Sequence, residues 1–237
     1  RGVNAASNGY TVNVAAGTYT DNVVVDQEVS ILGAGQAMTF VQPLTSNPNC
    51  GGGGGGSLCA GGSNVMLVQA DNVSIQQLTI DGNNPAISSG VTAGGSDIDA
   101  RNGIITNHNL GIYNNLLVNN VTVKNIFLRG VYASTGGTFT FTNNTVDNVQ
   151  ADPGSIAMFN FGGSGSFTGN TVSNANDAIA SNHSKGTTYT GNTITNCASG
   201  IHSDNNGSSG GTADLISGNT VMNGAANSYG IFTFAPY

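Results

Sequence analysis

The sequence predicts an all-β chain wound as a right-handed parallel β-helix, a solenoid of three parallel sheets in coils of about 22–27 residues. Three observations predict it. An Asn-Thr pair recurs through the second half; short runs alternate apolar and polar residues with the period of two that marks strands; and no run of helical period separates those strands. Without crossover helices the strands cannot form βαβ units, so each can pair in parallel only with its equivalent in the next coil. The 237 residues then read as one elongated domain, 1–237.

Taken in order, the first interruption is the glycine run at residues 45–63, a loop inserted into the coil pattern and bracketed by Cys50 and Cys59. Its flexible residues let the two sulfurs meet, and a disulfide there fits an oxidising compartment. The alternative is a pair of thiols; half a metal site is less favoured, since no His or further Cys lies near. Cys197 occupies a repeat position filled elsewhere by Val149, Ala175 and Gly224, which makes it a small packing residue.

Two degenerate repeats follow, Gln77-Leu78-Thr79-Ile80-Asp81 and Asn120-Val121-Thr122-Val123-Lys124-Asn125. The clear copies are Asn144-Thr145-Val146-Asp147-Asn148, Asn170-Thr171-Val172-Ser173-Asn174, Asn192-Thr193-Ile194-Thr195-Asn196 and Asn219-Thr220-Val221-Met222-Asn223. Coils stack about 4.8 Å apart, so an inward Asn at one corner of each can bond the backbone and the Asn above and below. The expected ladder is Asn120, Asn144, Asn170, Asn192 and Asn219, with Gln77 at its start; exposed Asn turns are the competing reading. Ile156, Ile179, Ile201 and Ile231 are expected to stack in the core. The last strand, Tyr229 to Phe234, has no polar cap, and a neighbouring domain or protomer is expected at the ends of the stack.

Charged residues make up 7% of the chain and the net charge is −7, so Asn, Ser, Thr and Gly form the surface. Five Lys and Arg cannot neutralise a run of phosphates, which excludes nucleic acid as a partner. No apolar run is long enough to span a bilayer. The chain begins at Arg1 rather than Met, as expected of a processed or partial polypeptide.

The stretch Gly9-Tyr10-Thr11-Val12-Asn13-Val14-Ala15-Ala16-Gly17-Thr18-Tyr19, with the later Val29-Ser30-Ile31-Leu32-Gly33-Ala34-Gly35, resembles the opening coil of the pectin-lyase-like superfamily of right-handed β-helix proteins. The residues before it, 1–9, resemble the tail of the short amphipathic helix that caps such stacks. With the Asn-Thr repeats, the resemblance covers nearly the whole chain. It implies the fold more than an activity, because lyases, esterases, epimerases, tailspikes and adhesins share the scaffold; an extracellular or cell-surface setting is what the cysteine loop leads one to expect.

The resemblance also implies that chemistry sits on the outer face of the sheet built from Gly-Ile-type strands, such as Gly103-Ile104-Ile105 and Gly200-Ile201-His202. Alternation then sends Ile105, Tyr132, Ala157, Ala180, His202 and Phe232 outward in one column. Asn107, Ser134, Phe159, Asn182, Asp204 and Phe234 form the next. Of these, Tyr132, Phe159, Asn182, His202, Phe232 and Phe234 are the candidate binding residues for a glycan or protein partner. If the chain is an enzyme, His202 and Asp204, with Lys185, are the catalytic candidates; the resemblance implies that a uronate lyase would also want Lys or Arg as base and a cation against the substrate carboxylate, for which Arg101, Arg129 and Lys185 are candidates, with Asp177 and His183 nearby. No two carboxylates share an outward position in neighbouring coils, which speaks against a glycosidase pair. No cofactor is expected; Asp97 and Asp99 are weak candidates for Ca²⁺. Sequons at Asn72, Asn120, Asn143, Asn182 and Asn206 could carry glycans, with Asn120 expected inside. Scarce chargeable groups favour a non-catalytic structural or adhesive module. The alternative is a polysaccharide-active lyase or hydrolase.

Overall fold

A computed structural model describes residues 2–50, 56–205, 212–222 and 228–234. Among them lie three parallel eight-stranded sheets and one two-stranded hairpin. Each coil contributes one strand to each sheet in turn, as in Thr138–Thr142, Thr145–Val149 and Ile156–Phe161. Every strand then pairs with its equivalent one coil away, and the chain winds as a right-handed parallel β-helix. The hairpin, Thr92–Ala93 with Ser96–Asp97, is an excursion from the third coil. Among the described residues helix is confined to Gly2–Ala5, whose Val3 is buried in the core.

Period-two alternation fills the core with stacked columns. In the first sheet the inward column runs Ile31, Ile75, Val118, Phe141, Phe167, Tyr189 and Ile216. In the second it runs Val41, Ile80, Val123, Val146, Val172, Ile194 and Val221. In the third it runs Met66, Ile104, Val131, Met158, Ile179, Ile201 and Ile231. The core residue of the fifth coil is therefore Met158, not Ile156. Ile156 pairs with Arg129 and Asp177 and packs on the outer face beside Phe159. The physical marker is the small residue before each core position: a Cβ on Gly130 would strike the Ala157 carbonyl and Val146, so Gly130 aligns with Ala157 rather than Ser155.

The asparagine ladder spans four coils. Asn170 accepts from the Asn144 backbone N–H and from Asn144 Nδ2, both at 3.0 Å, and donates from Nδ2 to Asn192 Oδ1 at 3.0 Å and to the Phe141 carbonyl at 2.9 Å. Asn192 repeats the pattern with Asn219. Asn120 and Gln77 are not in the ladder. Thr122 pairs with both Thr79 and Thr145, which puts Val121 and Leu78, fully buried, at the ladder position. Val121 ends the ladder by donating its N–H to Asn144 Oδ1 at 3.0 Å. Asn120 lies one residue earlier, exposed, at φ 54, in the corner column that continues through Asn143, Gly169, Gly191 and Gly218. Asparagine suits both places, since its amide can fill a ladder and it tolerates left-handed backbone. The sequons at Asn72, Asn120 and Asn143 are thus exposed and that at Asn182 is half-buried; Asn206 lies outside the described residues, as does Asn223.

The second Asn of each repeat marks another corner. Asn125, Asn148, Asn174 and Asn196 all hold positive φ of 53 to 58, and Asn148 Nδ2 donates to Asn125 Oδ1 at 2.9 Å.

Cys50 and Cys59 are joined, their Cα atoms 6.3 Å apart. Cys197 is buried, and burial pushes its thiol up to about 11. We expect mapping of the unreduced, digested protein to recover a Cys50–Cys59 cross-linked peptide, and Cys197 to resist alkylation until the chain is unfolded. Rapid native alkylation of Cys197, or two alkylatable thiols in the loop, would contradict this.

Candidate functional site

The outer face of the third sheet divides into a covered half and an open half. In strand register its central column is Ile105, Tyr132, Phe159, Ala180, His202 and Phe232. Phe159 stands where alternation from Ile156 had placed Ala157, and Phe161 takes the next outward position, pairing with Ser134 and Asn182. Both changes follow from the two-residue register of the fifth coil.

In the covered half, Tyr132 and Phe159 are each 4% exposed and stack on each other, centroids 4.6 Å apart. The Arg129 guanidinium lies over both rings, 5.0 Å from the centroid of Phe159 and 5.9 Å from that of Tyr132. Burial lowers the Arg129 pKa and raises that of Tyr132, whose hydroxyl accepts from Ser134 Oγ at 2.7 Å. These two rings are an internal support, not a stacking surface for a ligand.

The disulfide-closed loop covers this half. Arg101, 2% exposed, donates to the carbonyls of Pro48, Gly56 and Ser57 at 2.8, 3.0 and 3.2 Å. Arg129 Nε donates to Ser57 Oγ at 3.1 Å, and Leu58 packs against the outer cluster that contains Ile105, Tyr132 and Phe159. Both arginines hold the loop to the sheet. The sequence offers both as the base or cation of a uronate lyase, but burial and these contacts with the loop give them a structural task.

The open half begins at Phe161, 37% exposed, whose ring meets His183 edge-on at 5.3 Å. Asn182 follows, half-buried, its Oδ1 without a hydrogen-bond partner among the described residues. Next comes His202, with Nε2 2.9 Å from Asp204 Oδ1; the His side chain is 16% exposed and the Asp side chain 3%. His202 also stacks on Phe232 at 4.4 Å, and Tyr229, 63% exposed, leans on Phe232 at 5.6 Å. The strand carrying the pair is fixed from behind. Asp214 accepts from Ser203 Oγ at 2.5 Å and from Asn205 Nδ2 at 2.8 Å, the residues on either side of Asp204.

The structure thus brings together Asn182, His202, Asp204 and Phe232 of the sequence candidates and adds Phe161, which its register had hidden. Phe234 pairs with Asp204 through the backbone, and its side chain lies outside the described set. Lys185 is exposed at the end of its strand, its Nζ directed at Gly136 two coils back, away from the coil of His202. Asp97 and Asp99 do not converge on one point. Asp97 accepts from Ser88 and Ser89, which holds its pKa down, whereas fully buried Asp99 accepts from Ser46 Oγ at 2.7 Å and the Asn84 N–H at 2.9 Å.

No family model matches the chain, and no curated protein matches it. Among solved structures it is similar to a pectin methylesterase from Yersinia enterocolitica, 12% identical, with a TM-score of 0.53 over 98% of this chain and 92% of that one. It is also similar to a pectin methylesterase from Aspergillus niger, 14% identical, TM-score 0.53, over 96% of this chain and 78% of that one. At these identities the likeness is one of fold alone: a right-handed parallel β-helix of three sheets.

Proposed function

We propose that this chain is a polysaccharide-active hydrolase that works outside the cytoplasm, with a glycan lying along the open half of the third sheet. The observation that carries the reading is the His202–Asp204 pair, a part-exposed imidazole held at 2.9 Å by a carboxylate almost out of solvent, with Phe232 stacked on the imidazole. Phe161, Phe232 and Tyr229 offer apolar faces for sugar rings, and Asn182 an amide for hydroxyls. The strip runs through four coils, roughly 14 Å at the 4.8 Å strand spacing, the length of about three sugar rings.

Its chemistry is general-base hydrolysis. When Nε2–H donates to Asp204, the basic ring nitrogen is Nδ1, and Asp204 stabilises the imidazolium that forms as Nδ1 takes a proton from water. The hydroxide oxygen adds to an ester carbonyl; the tetrahedral intermediate collapses, and the leaving sugar alkoxide takes the proton back from Nδ1. An ester fits better than a glycosidic bond, because a glycosidase needs two opposed carboxyl groups, and of the two carboxylates on this face Asp204 is committed to His202 and Asp177 acts on Arg129. That the two similar folds are both named as methylesterases of pectin supports an ester on a polysaccharide.

His202→Ala is expected to reduce kcat for release of acid from an acylated polysaccharide about a hundredfold, and Phe161→Ala to raise KM with kcat little changed. Unaltered turnover in a folded His202→Ala protein would sink the enzyme reading. Glycan binding without any turnover in the parent chain would support the structural or adhesive module instead. A specific observation favours keeping that second reading: Tyr229, Ile231, Leu215 and Met222 of the last described coil are 50 to 63% exposed, a surface suited to a neighbouring domain or protomer.

A further inference from the structure

We infer that the glycan taken by the open strip is uncharged, an O-acylated neutral polysaccharide rather than a polyuronate; this rests on the polysaccharide reading above and narrows it. The argument is a count of charge on the outer face. A polyuronate carries one carboxylate per sugar, about three over the length of the strip, and its recognition needs a cation near each. The chain has five Lys and Arg, of which Arg1 lies outside the described residues. Arg101 is buried with its guanidinium on loop carbonyls, and Arg129 lies flat on Phe159 and Tyr132, bonded to Ser57 Oγ and, at 2.6 Å, to the Gly154 carbonyl, with Asp152 and Asp177 as counter-charges. Lys124 pairs with Asp81 at 3.0 Å on the second sheet. Lys185 remains, one ammonium at one edge of the strip and directed at Gly136.

Against that single cation the open half carries two carboxylates. Asp204 holds His202, and Asp177 sits on the outer face in register between Ile156 and Ser199, one strand from the His202 coil. The field of the whole chain, net −7, has the same sign. A polyanion approaching this face is repelled along most of its length. A neutral sugar loses nothing by comparison and keeps its ring contacts with Phe161, Phe232 and Tyr229 and its hydroxyl contact with Asn182. The product side agrees. Cleaving an O-acyl group sends the new carboxylate away with the released acid, whereas cleaving an ester of a uronate leaves it on the polymer, facing Asp177 and Asp204.

Affinity electrophoresis and calorimetry of the full chain test this with acetylated xylan, acetylated glucomannan, polygalacturonate and chitosan at low and high salt. The expected result is binding to at least one neutral polymer, changing by less than about twofold with salt, lost in Phe161→Ala, with polygalacturonate weaker by about tenfold or more at low salt. Asp177→Lys should then strengthen polygalacturonate binding about tenfold at low salt and leave the neutral polymer unaffected. Salt-sensitive binding of polygalacturonate or chitosan as tight as that of the neutral polymers, and lost in Phe161→Ala, would overturn the inference. So would an Asp177→Lys protein no better at binding the polyanion. If no polymer binds, or Phe161→Ala changes nothing, the glycan reading itself falls, a different outcome from failure on charge.

Discussion

Asn170→Ala is expected to lower the unfolding free energy by about 3–5 kcal/mol. The substitution removes four hydrogen bonds and leaves their partners buried: the Asn144 N–H and Nδ2, the Phe141 carbonyl and Asn192 Oδ1. Each stranded group costs about 1–3 kcal/mol, less where a partner keeps a second bond or a water enters. Asn144 and Asn192 lie directly above and below, so the loss is felt in three coils, and cooperativity within the column pushes the effect above that of a single bond. The control is Asn120→Gly. Asn120 is exposed, off the ladder and already at φ 54, where glycine is at ease, so a change within about 0.5 kcal/mol is expected. Chemical denaturation of the two variants beside the parent measures both. Equal effects would mean that the ladder is not where the hydrogen bonds place it.

Phe167→Ala should cost about 3–5 kcal/mol. Phe167 is fully buried in a cluster of rings from consecutive coils, stacked on Tyr189 at 5.4 Å, tilted against Phe139 at 4.9 Å and edge-on to Phe141 at 5.6 Å. Beside it, Gly165 has no Cβ to strike the Phe139 ring and carbonyl, which is how an aromatic from the coil above reaches across. With the neighbours held in register by strand pairing, the cavity cannot collapse, so the loss includes the empty volume as well as the transfer of the ring. Phe167→Leu, which refills most of the space, is expected to lose only about 1.5 kcal/mol. A Phe167→Ala protein within 1 kcal/mol of the parent would show that the coil relaxes, and that ring stacking is not what holds this part of the core.

How much of the site was legible depended on register. His202 and Asp204 are two apart on a strand, so alternation alone puts them on one face, and the structure brings them to 2.9 Å. Their neighbours across coils were harder. The fifth coil contains Ser155-Ile156-Ala157-Met158-Phe159, in which two apolar residues, Ile156 and Met158, are equally good core candidates at a spacing of two. Period two fixes which face a residue takes relative to its neighbour, but a slip of two residues leaves the pattern unchanged. That slip hid Phe161 from the sequence and moved Ala157 into the column. The same limit applied to Asn120, where asparagine fits both an inward ladder and an exposed left-handed corner.

By itself the sequence determined the architecture. Repeats at coil spacing, alternation of period two and the lack of any crossover helix leave a chain no option but to pair each strand with the next coil, and four in-register asparagines mark the corner where polar side chains turn inward. Tertiary structure decided what is exposed. Tyr132 and Phe159 point outward in sequence terms, yet Arg129 and the loop closed by Cys50 and Cys59 cover them, because the loop supplies partners that two poorly solvated guanidinium groups require: the Gly56 and Ser57 carbonyls for Arg101 and the Ser57 hydroxyl for Arg129. Contacts of this kind join residues some 45 to 72 positions apart. No local pattern encodes them, since the energy that fixes them arises only once the coils have stacked and removed those charges from water.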